Sequence, residues 1–413
     1  MSRILHFKKV KVNNKVIAWI GIFILFSVFL INLFYMRYVS KDMKTYLKFN
    51  TQEFDLNNKT NKINIGNTKG YRVFLAGEEH AQTKSYAMKK NLIEFFNKNL
   101  NIRYILIEIG FGSGIVLDDY IQTGKEEELK YYMSNLKGTS AYTNEESEFW
   151  KSLYEYNKNL DDDKKIHIIG LDVDHQIYTS IKSIALLIDD DNLDEDLSDL
   201  NKLIEDNDEC VFFKLIEAID KYPDKVEKEF GKNYDVLKQL CKNFNYTYKY
   251  FNERKSKNER DYDIRDEAMM SNFLYAYNTY KDELFFGEFG AEHIYQSSCE
   301  TKEASDKYNR FGMRLNESSS PVKGKVCSML YVYPYGNNLD LDSVDLLSKY
   351  IDYSAFKNYY KKDTIISLDE RNSPFLNNDN LCNNDSEITC NYIQKIIVLP
   401  DSEKCSAFYG NLY

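Results

Sequence analysis

Short apolar runs alternate with amphipathic stretches along most of the chain. Residues 71–76, 104–109, 166–173, 284–289, 326–333 and 393–399 carry the compact apolar pattern of strands. Between the first two, Met88, Leu92, Phe95 and Phe96 recur at helical spacing, and Phe149, Leu153, Tyr156 and Leu160 repeat the pattern before the third. Strand, helix, strand at these distances implies right-handed crossovers. The expected class is α/β, a mainly parallel central sheet flanked by helices. Residues 177–283 are charged and helical in period, with Pro223 their one proline, and are expected to form a helical insertion or cap. No repeat of solenoid period is present.

The longest apolar run lies near the start. Residues 16–36 contain no charge, and as a helix rising about 1.5 Å per residue they would cross a bilayer core. Phe34, Tyr35, Met36 and Arg37 do not form a small-residue cleavage site, so an anchor is expected in preference to a cleaved signal peptide. Arg3, Lys8, Lys9, Lys11 and Lys15 precede the run, against Arg37, Lys41, Lys44 and Lys48 after it. That balance places residues 1–15 in the cytoplasm and the remainder outside, as a single-pass membrane protein. Residues 37–68, polar and aperiodic, read as a stalk before one domain over residues 69–413.

Charge narrows the partners. The 413 residues carry a net −10, and because residues 1–15 hold five cations and no acid, the rest carries −15. An acidic body disfavours nucleic acid. The seven cysteines form no CxxC pair, Cys382 and Cys390 could close a short loop, and the odd count leaves a thiol unpaired.

Ligands of open α/β sheets bind at the carboxyl ends of strands. Four expected strand ends carry acids or histidines: Glu78, Glu79 and His80; Glu108; Asp172, Asp174 and His175; Glu288, Glu292 and His293. Together they imply one polar cleft. In Gly77-Glu78-Glu79-His80, glycine permits a tight exit from the strand, and a histidine beside carboxylates can act as a general base or bind a metal; a solvated loop is the plain alternative. Glu108 interrupts a run that reads as buried, so it must be paired or protonated. Gly110, Gly112 and Gly114 then suggest a flexible turn whose amides could bind an oxyanion. Ser113 does not sit in a GxSxG elbow. Asp172 and Asp174 share a face of an extended segment, although turn formation explains them nearly as well. Arg265, Met269 and Asn272 share a helix face, where the arginine could clamp a carboxylate, a phosphate or an ester oxygen, or form a structural ion pair.

These pieces in this order resemble the erythromycin esterase-like hydrolases and the wider superfamily that includes ChaN haem-binding and Tiki/TraB metalloprotease-like domains. The resemblance covers about residues 71–335, with Arg265-Asp266-x-x-Met269-x-x-Asn272 its most specific piece. It implies site roles for Glu78, His80, Glu108, Arg265 and His293. The chain departs from the family where Gly290-Ala291-Glu292-His293 replaces His-Asn-x-His, which weakens an inference of macrolide hydrolysis.

Three functions follow as expectations. The first is a hydrolase of ester or amide bonds in a small-molecule or peptide substrate, with His80, Glu78, Glu108, Arg265 and His293 catalytic and Asp172, His175, Asn272 and Glu288 binding substrate. The second adds a divalent zinc, manganese or cobalt ion on His80, Glu108 and His293. The third is a non-enzymatic module tethered to the surface that binds haem or another ligand. No P-loop, GxGxxG helix opening or HExxH motif is present.

Overall fold

The computed structural model describes residues 14–56, 63–188, 197, 199–257, 262–297, 309–334, 356, 358–377 and 388–409. It begins with α1 (Asn14–Phe49) and β1 (Thr51–Glu53), followed by β2 (Val73–Glu78), α2 (Thr83–Leu100), β3 (Tyr104–Gly110), α3 (Phe111–Thr123), α4 (Glu126–Asn135), α5 (Asn144–Lys158) and β4 (His167–Asp172). A helical block comes next: α6 (Ile177–Leu187), α7 (Asp199–Glu205), α8 (Cys210–Lys221), α9 (Pro223–Phe230), α10 (Tyr234–Lys257) and α11 (Tyr262–Thr279). The chain then returns to the sheet through β5 (Phe285–Gly290), α12 (Phe311–Leu315), β6 (Val326–Val332), β7 (Thr364–Ser367) and β8 (Lys395–Val398).

The eight strands form one sheet in the order β1-β7-β8-β6-β2-β5-β3-β4. The block from β8 to β4 is parallel, but β7 runs antiparallel to both β1 and β8. The sheet is therefore mixed, where a mainly parallel one was expected. The difference comes from β1 and β7, three and four residues long, too short to register as apolar runs.

Alternation along the strands builds two cores. Val73 and Leu75 of β2, Tyr104 and Leu106 of β3, and Phe285 and Phe289 of β5 face α11 and the C-terminal segment. Phe74 and Ala76, Ile105 and Ile107, and Phe286 face α2, α4 and α5. A third cluster binds α6 through α10 to α3, and Phe111, Phe212 and Phe230 are buried in it.

The N-terminal expectations need correction. Among the described residues no helix is long and apolar enough to cross a membrane. The apolar side chains described on this part of α1, from Trp19 to Leu30, are mostly exposed. The side chains of residues 16–18 and 31–36 lie outside those described, as do residues 1–13. Within the segment read as a stalk, Tyr46 and Leu47 are buried, Tyr46 donates to the Ser367 carbonyl at 2.9 Å, and Thr51–Glu53 pairs with β7. A polar sequence hides this docking because it rests on a few buried side chains and on backbone pairing. Cys210, Cys241, Cys327, Cys390 and Cys405 are free thiols, and Cys382 lies outside the described residues.

Candidate active site

Four adjacent strands, β2, β5, β3 and β4, end side by side in parallel, and their carboxyl ends open into a cleft of about 530 Å³. Glu78, His80, Glu108, Asp172, His175, Arg265 and Glu288 all line it. The expected convergence of strand ends is what the topology delivers.

His80 follows β2 directly. Its Nδ1 lies 2.5 Å from Glu78 Oε1, and 59% of its side chain is exposed. The Glu78 charge and this hydrogen bond raise the imidazole from 6.5 to about 9, an effect that water at so open a ring screens in part. The turn is strained: Ala81, next in the chain, has φ 65°, a left-handed conformation that costs a non-glycine residue about 1 kcal/mol or more. The C-terminal segment holds it there, with Cys405 N donating to Ala81 O at 2.8 Å and Thr83 N to Glu403 O at 2.9 Å. Gly77 plays a different part from the one expected. It lies within β2, and a Cβ there would come within 2.6 Å of Ile294, so the glycine serves close packing and the tight exit belongs to Ala81.

Across the cleft, Arg265 of α11 forms a fork. Its Nε donates to both Asp172 carboxylate oxygens at 2.9 and 2.8 Å, and its Nη2 to Asp172 Oδ2 at 2.5 Å and to Glu108 Oε1. Glu108 Oε2 accepts from the Gly290 amide at 2.6 Å. Burial alone would raise Glu108, but the charges of His293, Arg265 and His80 outweigh it and bring the carboxyl to about 2. Burial opposes ionisation of Asp172 as well, and Arg265 and His175 hold it well below the carboxylate range. His175 packs edge-on against Tyr250 and Phe251 at 5.5 and 6.0 Å.

His293 does not reach the cleft. It is buried behind Glu108, 3.5 Å from Oε1, and its Nδ1 meets Asp266 Oδ1 at 2.8 Å. Asp266 in turn accepts from the Phe311 amide at 2.8 Å and from Arg310. His293 therefore positions Glu108 and touches no substrate space. Asn272 is displaced further from its expected role: wholly buried, it donates to the Leu171 carbonyl at 2.7 Å and to Asn243 at 2.8 Å and accepts from Gln239 at 2.7 Å. It clamps α11 to β4.

The expected glycine-rich oxyanion turn is a helix. Gly110 precedes α3, and the Gly112 amide donates to buried Asp174 at 3.0 Å. A Cβ on Gly112 would lie 2.5 Å from Ser180 Oγ, and one on Gly114 would lie 2.2 Å from the Gly170 amide. These glycines let α3 press against β4 and α6.

On the other face of the sheet the cleft has a second arm, which sequence reasoning only touched. Glu288 Oε1 lies 3.0 Å from Lys89 Nζ of α2, and Oε2 accepts from Tyr331 at 2.9 Å. Lys89 also lies over the rings of Tyr86 and Phe149 at 5.0 and 4.8 Å. Burial raises Glu288 to about 7 against the pull of Lys89, and Glu78 adds to the rise. Lys89, Glu146 and Asp266 are the polar residues missed. The signal for Lys89 is its spacing, since Leu92, Ile93 and Phe96 stand three, four and seven residues on and share its helix face, while Asp266, adjacent to Arg265, points about 100° away on the helix toward His293.

The metal expectation does not fit this geometry. Arg265 and Gly290 occupy the two oxygens of Glu108, and His293 lies buried behind it with its Nδ1 against Asp266. Among the described residues no group of three or more His, Cys, Asp or Glu could hold a metal ion. The arginine supplies the cation that the carboxylates require.

No model of a known protein family matches the chain, and no curated protein matches it in sequence. Solved structures do share its fold. A Bacillus cereus protein aligns with a TM-score of 0.63 at 15% identity, covering 89% of this chain and 99% of its own. A succinoglycan biosynthesis protein aligns at 0.56 and 14%, with the same coverage. A mutant of the erythromycin esterase EreC, in its open conformation, aligns at 0.55 and 11%, covering 84% of this chain and 93% of that one. ChaN of Campylobacter jejuni reaches only 0.30, too low to argue a common architecture. The chain has the fold seen in EreC and in these two proteins.

Proposed function

We propose that this chain is a hydrolase of ester or amide bonds in a small molecule, and that its own residues activate the attacking water. The observation that carries the reading is the pairing of a carboxylate-held imidazole, Glu78–His80, with a braced guanidinium, Arg265, in one cleft. In its neutral form His80 removes a proton from water through Nε2, while Glu78 fixes the ring and stabilises the imidazolium that results. Arg265, held rigid by Asp172 and Glu108, faces the negative charge that develops on the carbonyl oxygen. A cavity of this size suits a small molecule, and the fold shared with an esterase supports the reaction class.

His80→Ala tests the reading, because so exposed a side chain can be removed with little effect on folding. The expected result on 4-nitrophenyl acetate is a loss of about 10²–10⁴ in kcat/KM with an unchanged melting temperature. In the wild type, kcat/KM should rise with pH between 6.5 and about 9, as the raised imidazole gives up its proton. Unchanged activity in the variant would overturn the assignment and leave a ligand-binding module.

A further inference from the structure

The polar groups of the cleft fall on two faces of one sheet. Glu108, Asp172 and Arg265 lie on the face of α11, and Glu288, Lys89 and Glu146 lie on the face of α2 and α5, with Glu78 and His80 over the edge between them. A departing alkoxide or amide anion needs a proton, and on the α11 face Glu108 and Asp172 are kept ionised by Arg265 while His175 is engaged with Asp172 at 3.7 Å.

We propose that Glu288 protonates the leaving group, and that the alcohol or amine half of the substrate occupies the arm of the cleft beside α2, α4 and α5. This rests on the hydrolase reading. Glu288 ends the strand between those that carry Glu78 and Glu108, lines the same cleft as His80, and is 4% exposed. The groups facing it are Lys89 from α2, Glu146 from α5, Glu78 from β2, Tyr331 from β6 and Tyr333 just beyond that strand. One ammonium thus faces three carboxylates. Glu78 has His80 as its partner, and Glu146 accepts from Tyr132 at 3.1 Å and from Trp150 at 2.7 Å. Glu288 is the carboxyl whose protonation relieves the remaining repulsion in a dry site. Its rise to about 7 agrees with that placement. Tyr86, Tyr132 and Leu136 line the arm, which therefore favours an aromatic or cyclic leaving group.

The step balances. Water oxygen bonds to the carbonyl carbon as His80 takes one water proton. The intermediate then collapses, the carbon–oxygen or carbon–nitrogen bond breaks, its electron pair stays on the leaving atom, and the Glu288 proton transfers to that atom. His80 returns its proton to Glu288 through water in the cleft.

Two acetates test the proposal: 4-nitrophenyl acetate, whose phenolate leaves without a proton, and benzyl acetate, whose alkoxide needs one. Glu288→Gln should lower kcat/KM on benzyl acetate about 100-fold or more, a loss at least about tenfold greater than its loss on the nitrophenyl ester. In the wild type, benzyl acetate turnover should fall at alkaline pH while nitrophenyl turnover levels off, a readout that needs no variant. Equal losses on both esters, or matching pH profiles, would overturn the role of Glu288 while the hydrolase reading stood. His80→Ala with full activity on both would overturn the hydrolase reading itself.

Discussion

Arg265→Met should reverse the response of stability to acid. In the wild type Glu108 is held at about 2 against an ordinary 4.5. At about 1.4 kcal/mol per unit, this displacement contributes about 3 kcal/mol of stability. A depressed carboxyl gives that stability above its unfolded value and loses it as pH falls from 4.5 toward 2. His293 shares with Arg265 in lowering Glu108, and Asp172, held well below its ordinary value by Arg265 and His175, adds to the effect. Without Arg265 the two carboxylates stay buried side by side with no fork to neutralise them, and removing one member of a buried pair costs about 3–5 kcal/mol. Their protonation is then favoured in the folded state, so the variant should gain stability relative to wild type as pH drops from 7 to 5. Urea unfolding followed by circular dichroism at pH 7, 6 and 5 measures both quantities. A loss below about 1 kcal/mol at pH 7, or parallel pH dependences in the two proteins, would refute the view that this arginine is the counter-ion of the site.

Two further substitutions probe the frame that holds the cleft. Asn272→Ala should cost about 2–3 kcal/mol, because the Leu171 carbonyl, Asn243 and Gln239 lose their shared partner in a dry interior; thermal melting reads the loss, and KM for any ester turned over should stay unchanged. Gly114→Ala should destabilise by about 1–3 kcal/mol or more, since its new methyl group would meet the Gly170 amide at 2.2 Å, and a variant as stable as wild type would show that α3 has room to move.

The strands that carry the site were legible because each is a compact apolar run stopped by an acid, and burial on both faces leaves that signature plainly in the sequence. Glu78, Glu108, Asp172 and Glu288 could be named for this reason, and parallel pairing then brought them together. What stayed hidden depends on direction in space. Arg265 and Asn272 share a helix face, yet one reaches the cleft and the other ends in the core two turns away, a difference set by where β4 crosses α11. The glycines after Glu108 read as a loop because intrinsic preference disfavours them in helices, and tight packing on β4 overrides that preference. Lys89 stands at helical spacing with Leu92, Ile93 and Phe96, on the face that α2 buries, and only its pairing with Glu288 depended on the fold.

The position of β8 orders the assembly of the whole sheet in time. It lies between β6 and β7, so β7 and β1 can join the parallel block only through it. During synthesis, the segment that ends in β1 must wait for residues 395–398 to emerge from the ribosome, which at about 5–20 residues per second is tens of seconds. The brace on the His80 turn comes from residues 403–405, just beyond. A nascent chain can therefore complete most of its core while its proposed base remains unset, and it becomes competent for chemistry only as the last strand arrives.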